Sequence, residues 1–310
     1  MKLSMICPAD HHLLEETGNT LRCGYCGASY PLEGGIARFL QDDDPFYEGV
    51  YRSQVRFVPK SERAWHTWPL WLINSGYMWA VRKHVAVGSV VVELGGAGGV
   101  RYFAHRYQMV ACDISYGSLS GVENYVTRIQ TDAANCIPMA DGTVDAVVSS
   151  YFWEHMSPAM KSSVLKECQR ILRPGGKVVF LHDVQTDSPL IKHYRNLAPE
   201  LYQRLFLDGD GHVGYETPEA NIKAFERDGF RVLFDHGMEK TWIQSASAYT
   251  KLAQFPGRRA PLFTQLGKLE NGWAFLPYTL VKRMIDTLIA PLLPIKWARI
   301  QLLVAQKVIE

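Results

Sequence analysis

The 310-residue chain predicts an α/β fold with a mostly parallel sheet, preceded by a small cysteine-bearing unit and interrupted near its end by an apolar insertion. Three observations carry that expectation. From Gly88 onward, short apolar runs alternate with helix-length segments, the pattern of strands covered on both faces by crossover helices. A glycine-rich turn, Glu93-Leu94-Gly95-Gly96-Ala97-Gly98-Gly99, follows the first of those runs directly. The first forty residues have a different character, with Cys7, Cys23 and Cys26 set among Gly and Pro turns.

Composition narrows the function classes. With 47% hydrophobic and 21% charged residues the chain is an ordinary globular one, and 33 Lys and Arg against 31 Asp and Glu leave a net charge of +2. No overall positive field draws it onto phosphate backbones, which argues against nucleic acid as a partner. The opening MKLSMICPADHH has no apolar stretch of signal length, so a cytoplasmic protein is expected, and its six cysteines read as thiols or metal ligands. The charge-free run from Ala64 to Val81 contains His66, Pro69, Asn74 and Gly76 and is not a membrane span. The apolar stretches Asn271 to Val281 and Thr287 to Ile295 are too short to cross, which leaves attachment to a membrane surface open.

Taken in order, residues 1–41 form the first unit. Cys23-Gly24-Tyr25-Cys26-Gly27 is a knuckle, since Gly permits the tight turn that brings backbone amides toward the sulfurs. Its partner Cys7-Pro8-Ala9-Asp10-His11-His12 lacks a second cysteine. Zinc accepts nitrogen or carboxylate oxygen as a fourth ligand, so Cys7, Cys23 and Cys26 close a tetrahedron with His11 by ligand chemistry or with Asp10 by spacing. Residues 42–86 read as a linker and aromatic cap: Asp42-Asp43-Asp44-Pro45 is a turn, and Trp65, Trp68, Trp71 and Trp79 either pack on the core or wall a substrate cavity.

The core is expected over 87–236 and 299–310. Its strands are Val90 to Glu93, Met109 to Asp113, a weak third around Arg128 to Thr131, Val144 to Ser150, Lys177 to Leu181, Phe230 to Phe234 and Ile300 to Ala305. Helices are predicted over Pro158 to Leu172, stopped by Arg173-Pro174-Gly175-Gly176, and over Asn221 to Asp228, stopped by Gly229. Residues 237–298 are an insertion whose apolar segments pack on the core, join a second subunit as a homodimer contact, or form a greasy entrance.

The chemistry starts at the glycine turn, where the backbone can approach a ligand and the next helix offers its positive amino end. Twenty residues past Glu93, Asp113 ends the second strand and suits a ribose diol. Asp132-Ala133 suits an adenine, through carboxylate and backbone amide. With Val91-Val92-Glu93-Leu94-Gly95, Cys112-Asp113, Asp132, Ile137-Pro138, Asp145-Ala146-Val147, Trp153-Glu154-His155 and Leu172-Arg173-Pro174-Gly175-Gly176-Lys177, the stretch from Gly88 to Asp183 resembles the class I S-adenosylmethionine-dependent methyltransferases. The N-terminal pattern, with its Tyr30-Pro31 to Gly35-Ile36 ending, resembles small zinc ribbons that precede or partner such enzymes.

That resemblance implies a Rossmann-like seven-stranded sheet and S-adenosyl-L-methionine held by Glu93, Gly95, Gly96, Ala97, Gly99, Asp113, Ile114, Asp132, Ala133 and Ser150. Ala97 departs from the family's usual glycine. Activity would be transfer of a methyl group to a small, apolar or lipid-linked acceptor at the carboxyl ends of the fourth and fifth core strands. His182, beside Asp183, is the first candidate general base, His212 the next, and His155 is expected to be structural. Asp208-Gly209-Asp210-Gly211 lacks the continuation of a calcium loop and reads as a turn. Two rival functions are a ribosomal-RNA base methylase that uses the ribbon to hold RNA, against which Glu15, Glu16 and Glu33 offset Arg22 and Arg38, and a silent cofactor-binding partner subunit.

Overall fold

A computed structural model describes residues 4–51, 76–96, 100–122, 124–271 and 274–308. The N-terminal unit is an antiparallel meander of β1 (Leu14–Thr17), β2 (Thr20–Cys23), β3 (Ser29–Glu33) and β4 (Ile36–Arg38). Helix α1 (Tyr77–His84) leads into the core, where β5 (Val90–Leu94), β6 (Gln108–Asp113), β7 (Thr127–Gln130), β8 (Val144–Ser150) and β9 (Leu172–Asp183) run parallel. After them, β10 (Phe230–Met238) and β11 (Ile300–Lys307) close the sheet, β11 lying antiparallel between β9 and β10. The core order β7-β6-β5-β8-β9-β11-β10 reverses at β5, and that reversal opens the crevice where open α/β sheets bind ligands.

Strand side chains alternate between two apolar layers. Val90, Val92, Leu94 and Phe180 belong to one, with Trp153, Val164 and Phe225; Val91, Val179 and Leu181 belong to the other, with Phe103, Val81 and Leu302. Helix α2 (Pro158–Ile171) starts on a Ser157 hydroxyl that accepts from the Met160 amide, with Pro158 in its first turn, and buries Val164, Leu165, Cys168 and Ile171. The expected stop at Arg173 to Gly176 is instead the first part of β9, with Gly175 at φ +74°.

Three features depart from the sequence reading. The N-terminal unit does not stand apart: β4 pairs in parallel with β7, Ile36 opposite Arg128 and Ala37 opposite Ile129, so one sheet of eleven strands runs through both. Strand β10 continues past Phe234 to Met238. The insertion does not pack on the two core layers alone. Its helices α4 (Ala246–Leu252) and α5 (Ala260–Gly267) join α3 (Pro189–Leu197) in a third apolar cluster, with Leu190, Ile191, Tyr194, Tyr202 and Phe206 against Tyr249, Leu252, Phe255 and Phe263. The cap therefore has two chain origins. Trp65, Trp68, Trp71 and Trp273 lie outside the described residues, whereas the Trp79 ring lies tilted at 5.5 Å from that of Phe234 of β10 and so packs on the core. Among the described residues no helix is long and apolar enough to cross a membrane.

Candidate active site

The crevice is built from the ends of β5, β6 and β7. Gly95 has φ +66°, and a Cβ on Gly96 would stand 3.0 Å from the Ala111 Cβ and 3.1 Å from the Glu93 carbonyl oxygen, so only glycine closes this turn without displacing β6. Both glycine amides donate to the Cys112 carbonyl. Ala97 and Gly99 lie outside the described residues. Glu93 is buried and accepts from the Tyr125 and Tyr77 hydroxyls, and the Tyr125 oxygen in turn accepts from the Val100 amide at 2.8 Å. Glu93 thus anchors the far side of the glycine turn, and burial beside its carboxylate pushes both phenols up.

Asp113 is half-buried at the end of β6, where one carboxylate oxygen accepts from the Ser115 amide at 2.8 Å. Ile114 offers its carbonyl to the Gln130 side chain at 3.1 Å. Asp132 is steadied by the Ala134 amide and the Asn135 side chain, next to buried Ala133. Ser150 closes β8 half-exposed. The acidic linker supplies a neighbour that composition alone does not reveal. Asp44 accepts from the Phe46 and Tyr47 amides, and this brings the Tyr47 phenol close enough to Asp113 and Asp132 for both carboxylates to help burial raise it.

Past the ends of β8 and β9 lies a buried polar region. Tyr151 takes φ +58°, a conformation that β8 imposes through its amide's bond to the Leu181 carbonyl. Glu154 is buried, accepts from the Asp183 amide, and is pushed well up by burial and by the Asp183 charge. The His155 ring meets the Gly211 carbonyl at 3.1 Å, and burial lowers it. His212 stacks on Tyr215 and is pushed down to about 4 by burial. Arg299 bridges Asp183 and Glu239, and Lys282 bridges Glu239 and Asp286.

His182 is not a base for a bound acceptor. It is fully buried, its Nε2 lies 3.1 Å from the Gln301 side-chain oxygen and 3.2 Å from the Asn221 amide nitrogen, and burial pushes it down to about 3. On β9 it shares the Phe180 face, packed near Trp153, whereas Asp183 projects to the other side. His212 and His155 do come together, their rings 5.3 Å apart, with Asp183 and with Asp210, the latter read from the sequence only as part of a turn.

The ribbon brings Cys7, Asp10, Cys23 and Cys26 into one cluster. Asp10, not His11, takes the fourth place. Its oxygens lie 3.3 and 3.5 Å from the Cys23 Sγ, while His11 turns away as the exposed left-handed residue of the knuckle, φ +60°. The Cys7 and Cys26 sulfurs are 3.7 Å apart, close to the roughly 3.8 Å edge of a tetrahedron with metal–sulfur bonds of about 2.3 Å.

Strand order, glycine turn and acids at successive strand ends are those of the Rossmann-like α/β methyltransferase fold. Residues 92–180 match the family model described as a methyltransferase domain. The chain is 36% identical over 98 residues to a demethylmenaquinone methyltransferase of Mycolicibacterium vanbaalenii, covering 31% of this chain and 38% of that one. It is 29% identical over 126 residues to a sarcosine/dimethylglycine N-methyltransferase of Halorhodospira halochloris, covering 36% and 43%. The chain spans about half the length of the curated relatives it matches. Among solved structures, the complex between the Haloferax volcanii Trm112 methyltransferase activator and a methyltransferase has a chain similar in fold, with TM-score 0.50 and 16% identity over 84% of this chain and 97% of that one. The Haemonchus contortus phosphoethanolamine N-methyltransferase 2 bound to S-adenosylhomocysteine is similar at TM-score 0.50 and 15% identity, over 84% of this chain and 59% of that one.

Proposed function

We propose that the protein transfers the methyl group of S-adenosylmethionine to a small organic acceptor held past the ends of β8 and β9. The observation that carries this reading is the crevice itself, with a turn only glycine can close and with Asp113 and Asp132 at the ends of adjoining segments. The cofactor supplies a sulfonium methyl already activated for displacement. The chain's own work is to orient the acceptor, exclude water and receive any proton the acceptor loses. Asp113 suits the ribose diol and Asp132 with Ala133 the adenine; with His182 buried elsewhere, Asp183 stands at the carboxyl end of β9. Calorimetry with S-adenosylhomocysteine is expected to show binding that Asp113→Ala weakens about tenfold, on the order of 1.4 kcal/mol. A wild-type chain that ignores this ligand would overturn the reading and leave a silent scaffold.

For the acceptor we favour an apolar or lipid-linked molecule, met at a membrane surface. Helix α6 (Phe275–Leu288) turns Val281, Met284 and Leu288 outward at i, i+3 and i+7, and Leu288 and Leu292 keep 65% and 82% of their surface in water. Of the insertion's three acids, Glu239 and Asp286 are buried in ion pairs, while Arg258, Arg259, Lys268 and Lys296 are exposed, so basic and apolar side chains suited to anionic headgroups predominate. RNA recognition through the ribbon is disfavoured by the same reasoning, because Arg38 is already engaged by Glu33, Asp43 and Gln130. Flotation with vesicles containing anionic lipid should carry the wild type upward and leave Leu288→Ser/Leu292→Ser behind. Tight, salt-sensitive retardation of RNA without flotation would reverse the two readings.

For the ribbon we propose one structural zinc on Cys7, Asp10, Cys23 and Cys26, supported by the sulfur spacing and the oxygen-to-sulfur distances.

A further inference from the structure

We propose that a second, divalent metal ion binds at the methyl-transfer end of the sheet, held by Asp183, Asp210 and His212, with Glu154 and His155 adjoining through His212. This site is distinct from the cysteine cluster of the ribbon. The donor atoms of Glu154, His155 and His212 lie within 4.8 Å of one another, and so do those of Asp183, Asp210 and His212. Donors about 2.1 to 2.2 Å from a metal stand up to about 4.3 Å apart across it, so closure needs side-chain movements of well under an ångström.

Two buried polar atoms independently point to a ligand here. Glu154 Oε2 and His212 Nδ1 have no hydrogen-bond partner, although Glu154 is 1% exposed and the His212 side chain 5%. A buried carboxylate oxygen or imidazole nitrogen left this way loses its hydration without replacement unless something occupies it. The His155 ring adds second-shell logic. Because a carbonyl oxygen can only accept, the Gly211 carbonyl fixes the proton on Nδ1, and the lone pair is then on Nε2, the arrangement that orients metal-ligating histidines.

Charge agrees. Through this connected region Asp183, Asp210, Glu239 and Asp286 face Lys251, Lys282 and Arg299, an excess of one negative charge for a dication to neutralise, while burial pushes Glu154 toward its neutral form. The mixed imidazole and carboxylate set suits manganese, iron or zinc and not calcium, which prefers oxygen alone. Bound there, the ion would tie the turn after β8, the end of β9 and the 208–212 loop into one unit.

The test is Mn2+ titration of the chelator-stripped full chain, with the free ion followed by electron paramagnetic resonance. One saturable Mn2+ per chain is expected, weakened at least tenfold by either His212→Gln or Asp210→Asn and retained in Cys23→Ser. Mn2+ should raise Tm in the wild type and not in Asp210→Asn, whose near-isosteric amide preserves the fold should the histidine variant fail. Absence of saturable binding, or binding that neither variant changes, would overturn the site. Calorimetry with S-adenosylhomocysteine on the same samples reads the cofactor crevice separately, so failure of the metal site and failure of the methyltransferase reading are distinguishable.

Discussion

Replacement of Arg299 by Met is expected to cost about 3–5 kcal/mol of unfolding free energy in urea denaturation, the largest effect of any single substitution considered for this chain. Arg299 begins the segment leading into β11 and is 6% exposed. Its Nε donates to Glu239 at 2.7 Å, its Nη2 to the Ser245 hydroxyl at 2.8 Å, and its Nη1 lies 3.4 Å from Asp183. Removing the guanidinium strands two carboxylates that burial already penalises. Glu239 retains Lys282 at 3.0 Å, whereas Asp183, raised by burial and held down chiefly by Arg299, has no cation of its own so near. The cost is therefore one of uncompensated charge, and neutralising a stranded acid should restore part of it. Asp183→Asn in the Arg299→Met background is expected to recover stability that the same change does not confer on the wild type, a positive coupling in a double-mutant cycle. A loss below about 1 kcal/mol would mean that water reaches these carboxylates freely.

The parts of the fold that read directly from the sequence are those in which burial imposes a period. Val90 to Leu94 and Val144 to Ser150 lie under helices on both faces, so each carries an unbroken apolar run, Val90 to Val92 and Ala146 to Val148. Strand β7 was faint because Thr127 and Arg128 stay partly exposed where the ribbon joins. The parallel pairing of β4 left no local trace at all: three residues carry no period, and their partner is chosen by the open sheet edge beside them. The cap was half-legible. Its insertion is apolar, but the contribution of Pro189 to Leu207 depends on which helices meet, and that is a tertiary choice.

In the site, glycines and strand-end acids were legible because their chemistry is local. His182 was misplaced for a reason the sequence does contain. Strand alternation puts residues 180 and 182 on one face and 181 and 183 on the other, and the face of Phe180 is solid core. Asp210 and Lys251 were missed because their ion pair joins residues 41 positions apart across the cap. Gln130 is a fully buried polar side chain at the end of the largely polar β7, and such a group must find partners.

That glutamine makes the ribbon's stability a matter for the cofactor crevice. Cys23→Ser is expected to abolish the zinc found by elemental analysis, from near one per chain to near none, and to lower Tm, because structural metal binding is folding free energy for so small a unit. The apolar support of the ribbon is thin: Ile6, Leu21, Ile36 and Ala37 are its buried aliphatic residues. Its loosening should not stay local. Arg38 of β4 donates to the Gln130 side-chain oxygen at 2.8 Å, and the Gln130 amide donates to Asp43 at 2.7 Å and to the Ile114 carbonyl at 3.1 Å, one residue beyond Asp113. A frayed β4 releases one end of that chain and lets the ribose-side loop move, so affinity for S-adenosylhomocysteine should fall severalfold in Cys23→Ser although no crevice residue has changed. Arg38→Ala reaches the same link while leaving the cysteines intact, and it should reproduce the affinity loss with zinc retained. Metal-free protein of unchanged Tm would overturn the zinc assignment, and unaltered affinity in both variants would show that the ribbon and the crevice share a sheet without sharing energy.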